Sequence, residues 1–281
     1  MARDRAMDTL FKVVCCALAA LGIAPVVHMI ATVAIKGGET IAKVGLLRFL
    51  IDVPPAPGSN EAGGIGPALV GTAMLLAVSM AIGIPLSLVL AILAVEFSES
   101  AVSKAVRFLA RTLVGVPTIA VSMLIYSLVV IPMGGASALA GGIALAIVLL
   151  PYATTYIEMC LEHVPKTYRD AGYSLGMKRI TMVRKVVLGM AKKCIAVSVV
   201  ISAARAIGET SPLLFTAGSA HYTYPSSLLD PVSSITLLIF EFGLSPFKPL
   251  IDTAWGAALI LTLAYLLVLL GVKLGMKGVE M

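Results

Sequence analysis

Arg205-Ala206-Ile207-Gly208-Glu209-Thr210-Ser211-Pro212 lies inside an apolar stretch that runs from Cys194 to Gly218. As a helix rising about 1.5 Å per residue, that stretch is long enough to cross a bilayer. Arg205 stands 11 residues into it, about 17 Å deep and so near the bilayer centre. A charge at that depth costs about 2.5–3.5 kcal/mol on insertion scales, so a chain that keeps one gives it a partner or a task. Glu209 follows four residues later, the spacing that brings two side chains onto one helix face. A structural ion pair that fixes helix packing is one reading. A charged pair facing a polar pathway is the other, and ionisable residues inside membranes favour it. Within the same run, Pro212 withdraws the N–H that would bond position 208, where glycine adds freedom, so a kink is expected. The hydroxyls of Thr210 and Ser211 can serve an anion or neighbouring backbone.

The whole chain carries the same stamp. Of its 281 residues 59% are hydrophobic and 13% charged, with a mean hydropathy of +1.01. Soluble domains hold about 25% charged residues, so the expected class is an all-α integral membrane protein. Six segments pass the length test for spans: Val13–Ile35, Ala68–Val95, Leu113–Ile131, Leu139–Met159, Cys194–Ala217 and Ala254–Val272. The first is too long for a signal-peptide core and reads as a retained helix. All 281 residues form one transmembrane domain, with an inner loop at 160–193 and an outer loop at 218–253.

Six crossings put both termini on one side, and the cations choose it. With cytoplasmic termini, the inside holds Arg3, Arg5, Lys12, Lys104, Arg107, Arg111, Lys166, Arg169, Lys178, Arg179, Arg184, Lys185, Lys192, Lys193, Lys273 and Lys277. Outside remain only Lys36, Lys43, Arg48 and Lys248. The positive-inside rule is satisfied in this orientation alone. The net charge of +6 therefore reads as topology and attraction to anionic lipid rather than a nucleic-acid footprint. Cys15 and Cys16 fall in the first span. Cys160 and Cys194 flank the inner loop, where thiols are expected to stay reduced. In the outer loop, Ile235 to Phe240 is too short to span and suits an interfacial or re-entrant helix, with Asp230, Glu241 and Asp252 around it.

The inner loop reads Val164-Pro165-Lys166-Thr167-Tyr168-Arg169-Asp170-Ala171-Gly172-Tyr173-Ser174-Leu175-Gly176. Thr167 is a candidate cap after Pro165, Asp170, Ala171 and Ser174 would share a face, and Gly176 suits a helix stop. A basic anchor explains the following charges, but a short helix with small residues suits docking against another protein. This segment resembles the EAA signature of ABC-importer permeases: Asp170-Ala171-Gly172, then Gly176, then Val186-Val187-Leu188-Gly189. Asp replaces Glu, Gly172 replaces the second Ala, and Gly189 stands where Pro is usual. Gly63-Gly64-Ile65-Gly66-Pro67-Ala68-Leu69-Val70-Gly71-Thr72, Gly115-Val116-Pro117-Thr118-Ile119 and the Arg205–Thr216 segment narrow the resemblance to phosphate-specific permeases of the PstA type. It covers about residues 63–245. One departure is Thr155, where relatives often carry Arg.

The resemblance implies a six-helix type I importer (MetI-like) fold and a subunit that moves inorganic phosphate across the cytoplasmic membrane of a prokaryote. It implies as partners a second permease of the PstC type, two ATPases of the PstB type holding ATP and Mg, and an extracytoplasmic binding protein of the PstS type. The substrate pathway would include Arg205, Glu209, Thr210, Ser211, Pro117 and Thr118. ATPase coupling would fall to Arg169, Asp170, Ala171, Gly172, Leu175 and Gly176. The chain has no Gly-x-x-x-x-Gly-Lys-Ser/Thr loop, so it is expected neither to hydrolyse ATP alone nor to act as an enzyme, and no bound cofactor or metal is expected. Sulfate or molybdate is the alternative cargo. A membrane-embedded transferase would need clustered acids or histidines, whereas His28, His163 and His221 sit in different segments. A proton-coupled carrier would transport alone, without ATP.

Overall fold

The computed structural model describes residues 2–276, so Lys277, expected from the sequence among the inner-face cations, lies outside the described residues. Helices dominate: α1 Ala2–Val44, α2 Leu46–Ile51, α3 Gly66–Glu96, α4 Ala101–Leu113, α5 Thr118–Met133, α6 Ala138–Glu162, α7 Lys166–Ser174, α8 Arg179–Ile207, α9 Ile235–Gly243 and α10 Lys248–Met276. Five of them (α1, α3, α6, α8, α10) are long and apolar enough to cross a membrane, and α5 makes a sixth when joined to α4.

The span boundaries differ from the hydropathy reading most in the first, third and fifth spans, and the sixth starts at Lys248 rather than Ala254. α1 continues to Val44, so Lys36 and Lys43 lie on helix rather than beyond a span that ends at Ile35. The third span begins at Thr118, because the backbone turns by 106° between α4 and α5 and strands Leu113 on α4. Pro117, which fixes φ and lacks an N–H, stands at the N-terminal boundary of α5. The fifth span is displaced toward the N-terminus: α8 starts at Arg179 and stops at Ile207, ten residues short of Ala217.

α3 and α6 form the centre of the bundle. Small residues let them approach: a Cβ on Gly83 would sit 2.7 Å from Leu149 Cδ2, and one on Gly141 2.6 Å from Leu75 Cδ2. Gly135, six residues before Gly141, has no such neighbour: nothing lies within 4 Å of its Cβ position. The core is layered along α3. At the outer end Ile65 and Ala68 meet Phe49, Leu238 and Ala254. Further in, Leu75 meets Leu145, Leu213 and Leu237. Ala91 meets Ile157, Leu161, Met182 and Val187 at the inner end.

The outer loop does contain the expected short helix. Leu237 and Leu238 of α9 are fully buried, so its apolar face turns into the bundle. Ser234 caps it by accepting from the Leu237 N–H at 3.1 Å. The expectation of separate, reduced Cys160 and Cys194 is overturned. They form a disulfide, because packing of α6 on α8 brings their Cα atoms to 5.6 Å, within bridging range.

Candidate functional site

α8 ends in the middle of the bundle. Ala206 packs on Leu149 and Ala153 of α6, against Leu76, Met80 and Ile84 from the middle of α3. Arg205 is therefore at mid-height, as its position in the apolar stretch suggested, but on the last turn of a helix. The kink expected at Gly208 and Pro212 is a complete break. Gly208 and Glu209 close the end with bonds to the Arg205 and Ala206 carbonyls at 3.1 and 3.3 Å. Pro212 then opens a short 3-10 turn, Ser211–Leu213. A proline at that position has no donor to continue the ladder, so helix gives way to irregular chain. Such backbone is tolerated at membrane depth only where protein or a polar cavity surrounds it.

The Arg205 guanidinium lies over the Tyr152 ring of α6, 3.7 Å from its centroid. Its Nη2 is 3.5 Å from Glu209 Oε1, so the i, i+4 pair forms, but loosely. The Arg205 side chain is 40% exposed and that of Glu209 17%. Among the described residues no group accepts a hydrogen bond from the guanidinium, which leaves its forked donors free for a planar or tetrahedral oxyanion. A cation in the last helical turn also offsets the negative end of the helix dipole.

The broken segment is held on two sides. Thr236 of α9 donates to the Glu209 carbonyl at 3.0 Å, and Ser122 of α5 donates to the Pro212 carbonyl at 3.0 Å. The hydroxyls of Thr210 and Ser211 have no partner among the described residues. Pro117 and Thr118 lie apart, at the α4–α5 bend one turn before Ser122, and make no side-chain hydrogen bond to this cluster among the described residues. Thr155 uses its hydroxyl on the Pro151 carbonyl at 2.9 Å. Tyr152, one turn away on the same helix, is the residue that sequence reading missed; only its nearness to Thr155 hinted at it.

At the inner end, α7 starts at Lys166 with Pro165 at its N-terminal boundary and no side-chain cap, so Thr167 is inside the helix. Its far end is a Schellman motif. Met177 and Gly176 donate to the Gly172 and Tyr173 carbonyls at 3.1 and 2.9 Å, and Gly176 takes φ +74°. The coupling residues divide by direction. Asp170, Ala171 and Leu175 are exposed. Gly172 is buried, its absent Cβ position 3.1 Å from Met182 Cγ. Arg169 turns inward: it bonds Glu96 Oε1 through Nε at 3.1 Å and Nη2 at 2.9 Å, and donates to the Val164 and Leu161 carbonyls at 2.6 and 3.0 Å. Glu96, with 4% of its side chain exposed, is the end of α3. Arg179, read from sequence as a topological anchor, stacks over Phe97 at 4.7 Å. Glu158, near the end of α6, is buried against Arg107 at 2.7 Å.

At the outer end His221, a scattered histidine in the sequence, joins a polar cluster. Its ring nitrogens lie 2.6 Å from Ser233 Oγ and 2.7 Å from Glu241 Oε2, and Ser219 donates to Glu241 Oε1 at 2.5 Å. Burial, and then the Glu241 charge, raise the Tyr222 hydroxyl above its ordinary pKa. The described residues contain no group of three or more metal-ligating side chains.

Residues 83–280 match the family described as binding-protein-dependent transport system inner membrane component. A probable phosphate transport system permease protein PstA of Methanocaldococcus jannaschii is 39% identical over 96% of this chain and 94% of its own length. The chain belongs to this permease family. A phosphate transport system permease protein PstA of Pasteurella multocida is 33% identical, with 79% of this chain and 78% of that one covered. Among solved structures, a chain of the MetNI methionine ABC transporter superposes with a TM-score of 0.61 at 15% identity, covering 78% of this permease and 95% of that chain. An amino acid ABC transporter gives 0.51 at 19% identity, covering 75% and 92%. At such identities the likeness is one of fold, and it bears out the expected all-helical MetI-like architecture.

Proposed function

We propose that this permease is the membrane subunit of an ATP-driven importer of inorganic phosphate, and that the anion passes Arg205 at the broken end of α8. The observation that carries the reading is a guanidinium at mid-height of the bundle, stacked on Tyr152 and only loosely paired with Glu209, with no hydrogen-bond acceptor for its donors among the described residues. Glu209 at 3.5 Å positions Arg205 and opposes tight anion binding, which suits a conduit whose ion must also leave. The free hydroxyls of Thr210 and Ser211 are next along the route. Relatives named as phosphate permeases support the choice of cargo.

In this reading the partners are a PstC-type permease, two PstB-type ATPases with ATP and Mg, and a PstS-type binding protein, and the chain holds no cofactor. Both termini lie in the cytoplasm. The exposed Asp170, Ala171 and Leu175 of α7 meet the ATPase, while Arg169 passes its motion to α3. The test is ATP-driven uptake of labelled phosphate into proteoliposomes holding the assembled complex, with sulfate and molybdate as competitors. Phosphate uptake that requires ATP and ignores tenfold sulfate is expected. Uptake by this chain alone, or saturation by sulfate or molybdate instead, overturns the reading.

A further inference from the structure

α4 sorts its residues onto three faces. Toward the bundle turn Ser103, which donates to the Ala94 carbonyl at 2.9 Å, the buried Ala110, and Arg107, which pairs with Glu158 at 2.7 Å and Glu162 at 3.0 Å of α6. A second face carries Val102, Leu109 and Leu113, all exposed apolar side chains. Lys104 and Arg111, seven residues apart and both exposed, stand roughly opposite that apolar face at about 100° per residue. Neither has a carboxylate partner among the described residues. Together with Arg107, Phe108 and Thr112 they line a recess of about 490 Å³.

The direction of α4 gives these faces meaning. It meets α5 at 106°, so where α5 crosses a bilayer, α4 lies close to the membrane plane. A helix in that plane with an apolar face, an opposed cationic face and a third side fixed to the protein has the make-up of an interfacial helix. We propose that α4 is a docking surface for anionic lipid. Val102, Leu109 and Leu113 enter the boundary between headgroups and acyl chains, and Lys104 and Arg111 reach back along their stems to hold headgroup phosphates. Arg107 ties this lipid-held helix to the inner end of α6, which leads directly into α7. The proposal rests on α5 spanning the membrane and is independent of the cargo.

Trp255 is the only tryptophan of this chain, so Leu109→Trp in a Trp255→Phe background, after subtraction of the signal of the same complex carrying Trp255→Phe alone, reports on this face. The assembled complex is reconstituted in equal mole fractions of anionic and zwitterionic phospholipid, with brominated acyl chains on one class at a time. Quenching by the brominated anionic lipid should exceed that by the zwitterionic lipid at least about threefold, a floor well inside the preference that two surface cations can produce. Lys104→Gln with Arg111→Gln should make the two equal while quenching persists. Val102→Trp, on the same exposed face, should repeat both results. Equal quenching in the presence of Lys104 and Arg111, a preference that survives their replacement, or no quenching at all, as when water or a protein covers the face, overturns the proposal.

Discussion

Two contacts hold the Arg205 guanidinium at the end of α8, the Tyr152 ring and the Glu209 carboxylate. Counting along the apolar run gave mid-height, because apolar length measures depth whatever the backbone does. It could not give Tyr152, which is 53 residues earlier in the chain and meets Arg205 only through helix packing. The 3.7 Å stack and the 3.5 Å approach to Glu209 make separable predictions. Tyr152→Phe keeps the ring and should keep transport. Tyr152→Leu loses a cation–π contact of about 0.5–2 kcal/mol, and phosphate uptake by the complex should fall several-fold. Arg205→Ala should abolish uptake while insertion persists, since removing the charge eases entry into the bilayer. Adding Glu209→Ala removes the unpaired acid and should restore assembly more than transport; a double variant at wild-type rate would make the pair purely structural. Asp230, in the outer loop, offers a pH test. Hydrogen bonds from the Ser226 side chain, then from the Ser226 and Ser227 backbones, lower its pKa below the ordinary 3.8. A lowered acid contributes order above its unfolded pKa and loses it as pH falls through the folded value. The Asp230 and Leu228 carbonyls accept from Ala138 and Leu139 at the start of α6. Hydrogen exchange at those two amides should therefore stay slow well below pH 5, and Asp230→Asn should speed it at neutral pH.

Among the elements, α7 is the one whose local sequence came closest to dictating its structure. Gly176 stops it at φ +74°, a conformation that costs glycine little and a β-carbon more. Its start was misjudged because Thr167 is a capping residue type, while Pro165 is better suited to a helix entrance. Its anchoring was invisible, since Glu96 lies 73 residues away. That pair now divides the coupling residues into two kinds. Arg169→Ala would leave Glu96 buried without its partner, a loss of about 3–5 kcal/mol when one member of a buried pair is removed. It should lower the yield of assembled permease and loosen α7 even before an ATPase binds. Ala171→Arg should leave the permease intact and reduce co-purification of the ATPase, because a long charged side chain on an exposed small residue separates two surfaces. Lys178→Ala should do neither. If Ala171→Arg retained normal ATPase binding and ATP-driven uptake, α7 would not be the coupling element.

For the molecule as a whole, hydropathy reported which segments are apolar, and packing decided how they are used. The stretch from Cys194 to Ala217 read as one crossing around Arg205 and Glu209, yet its last ten residues leave the α-helix inside the bundle, because Pro212 stops the ladder and Ser122 and Thr236 bind carbonyls of the broken segment. α4 escaped notice because a hydropathy window averages its apolar and charged faces to near nothing, however sharply the two faces are divided. The Gly63–Gly71 run became legible only afterwards: Gly64 and Gly66 donate to the Val53 and Asp52 carbonyls at 3.0 Å, in a passage too narrow for side chains. The proposed orientation, by contrast, rests on charge alone and applies to every helix at once. The cations of α7 and the start of α8 share an end of the bundle with Ala91 and Leu161, whereas Lys43, Arg48 and Lys248 line one cleft of about 760 Å³ at the end marked by Phe49 and Ile65. Translocating the first group would be far costlier than translocating the second, since inner-loop cations set topology. A membrane-impermeant amine reagent applied to intact cells should therefore modify Lys43 and Lys248 and spare Lys166 and Lys178 until the membrane is opened. The reverse pattern would turn the molecule over, placing α7 outside, away from any ATPase, and the coupling role of α7 would fall with it.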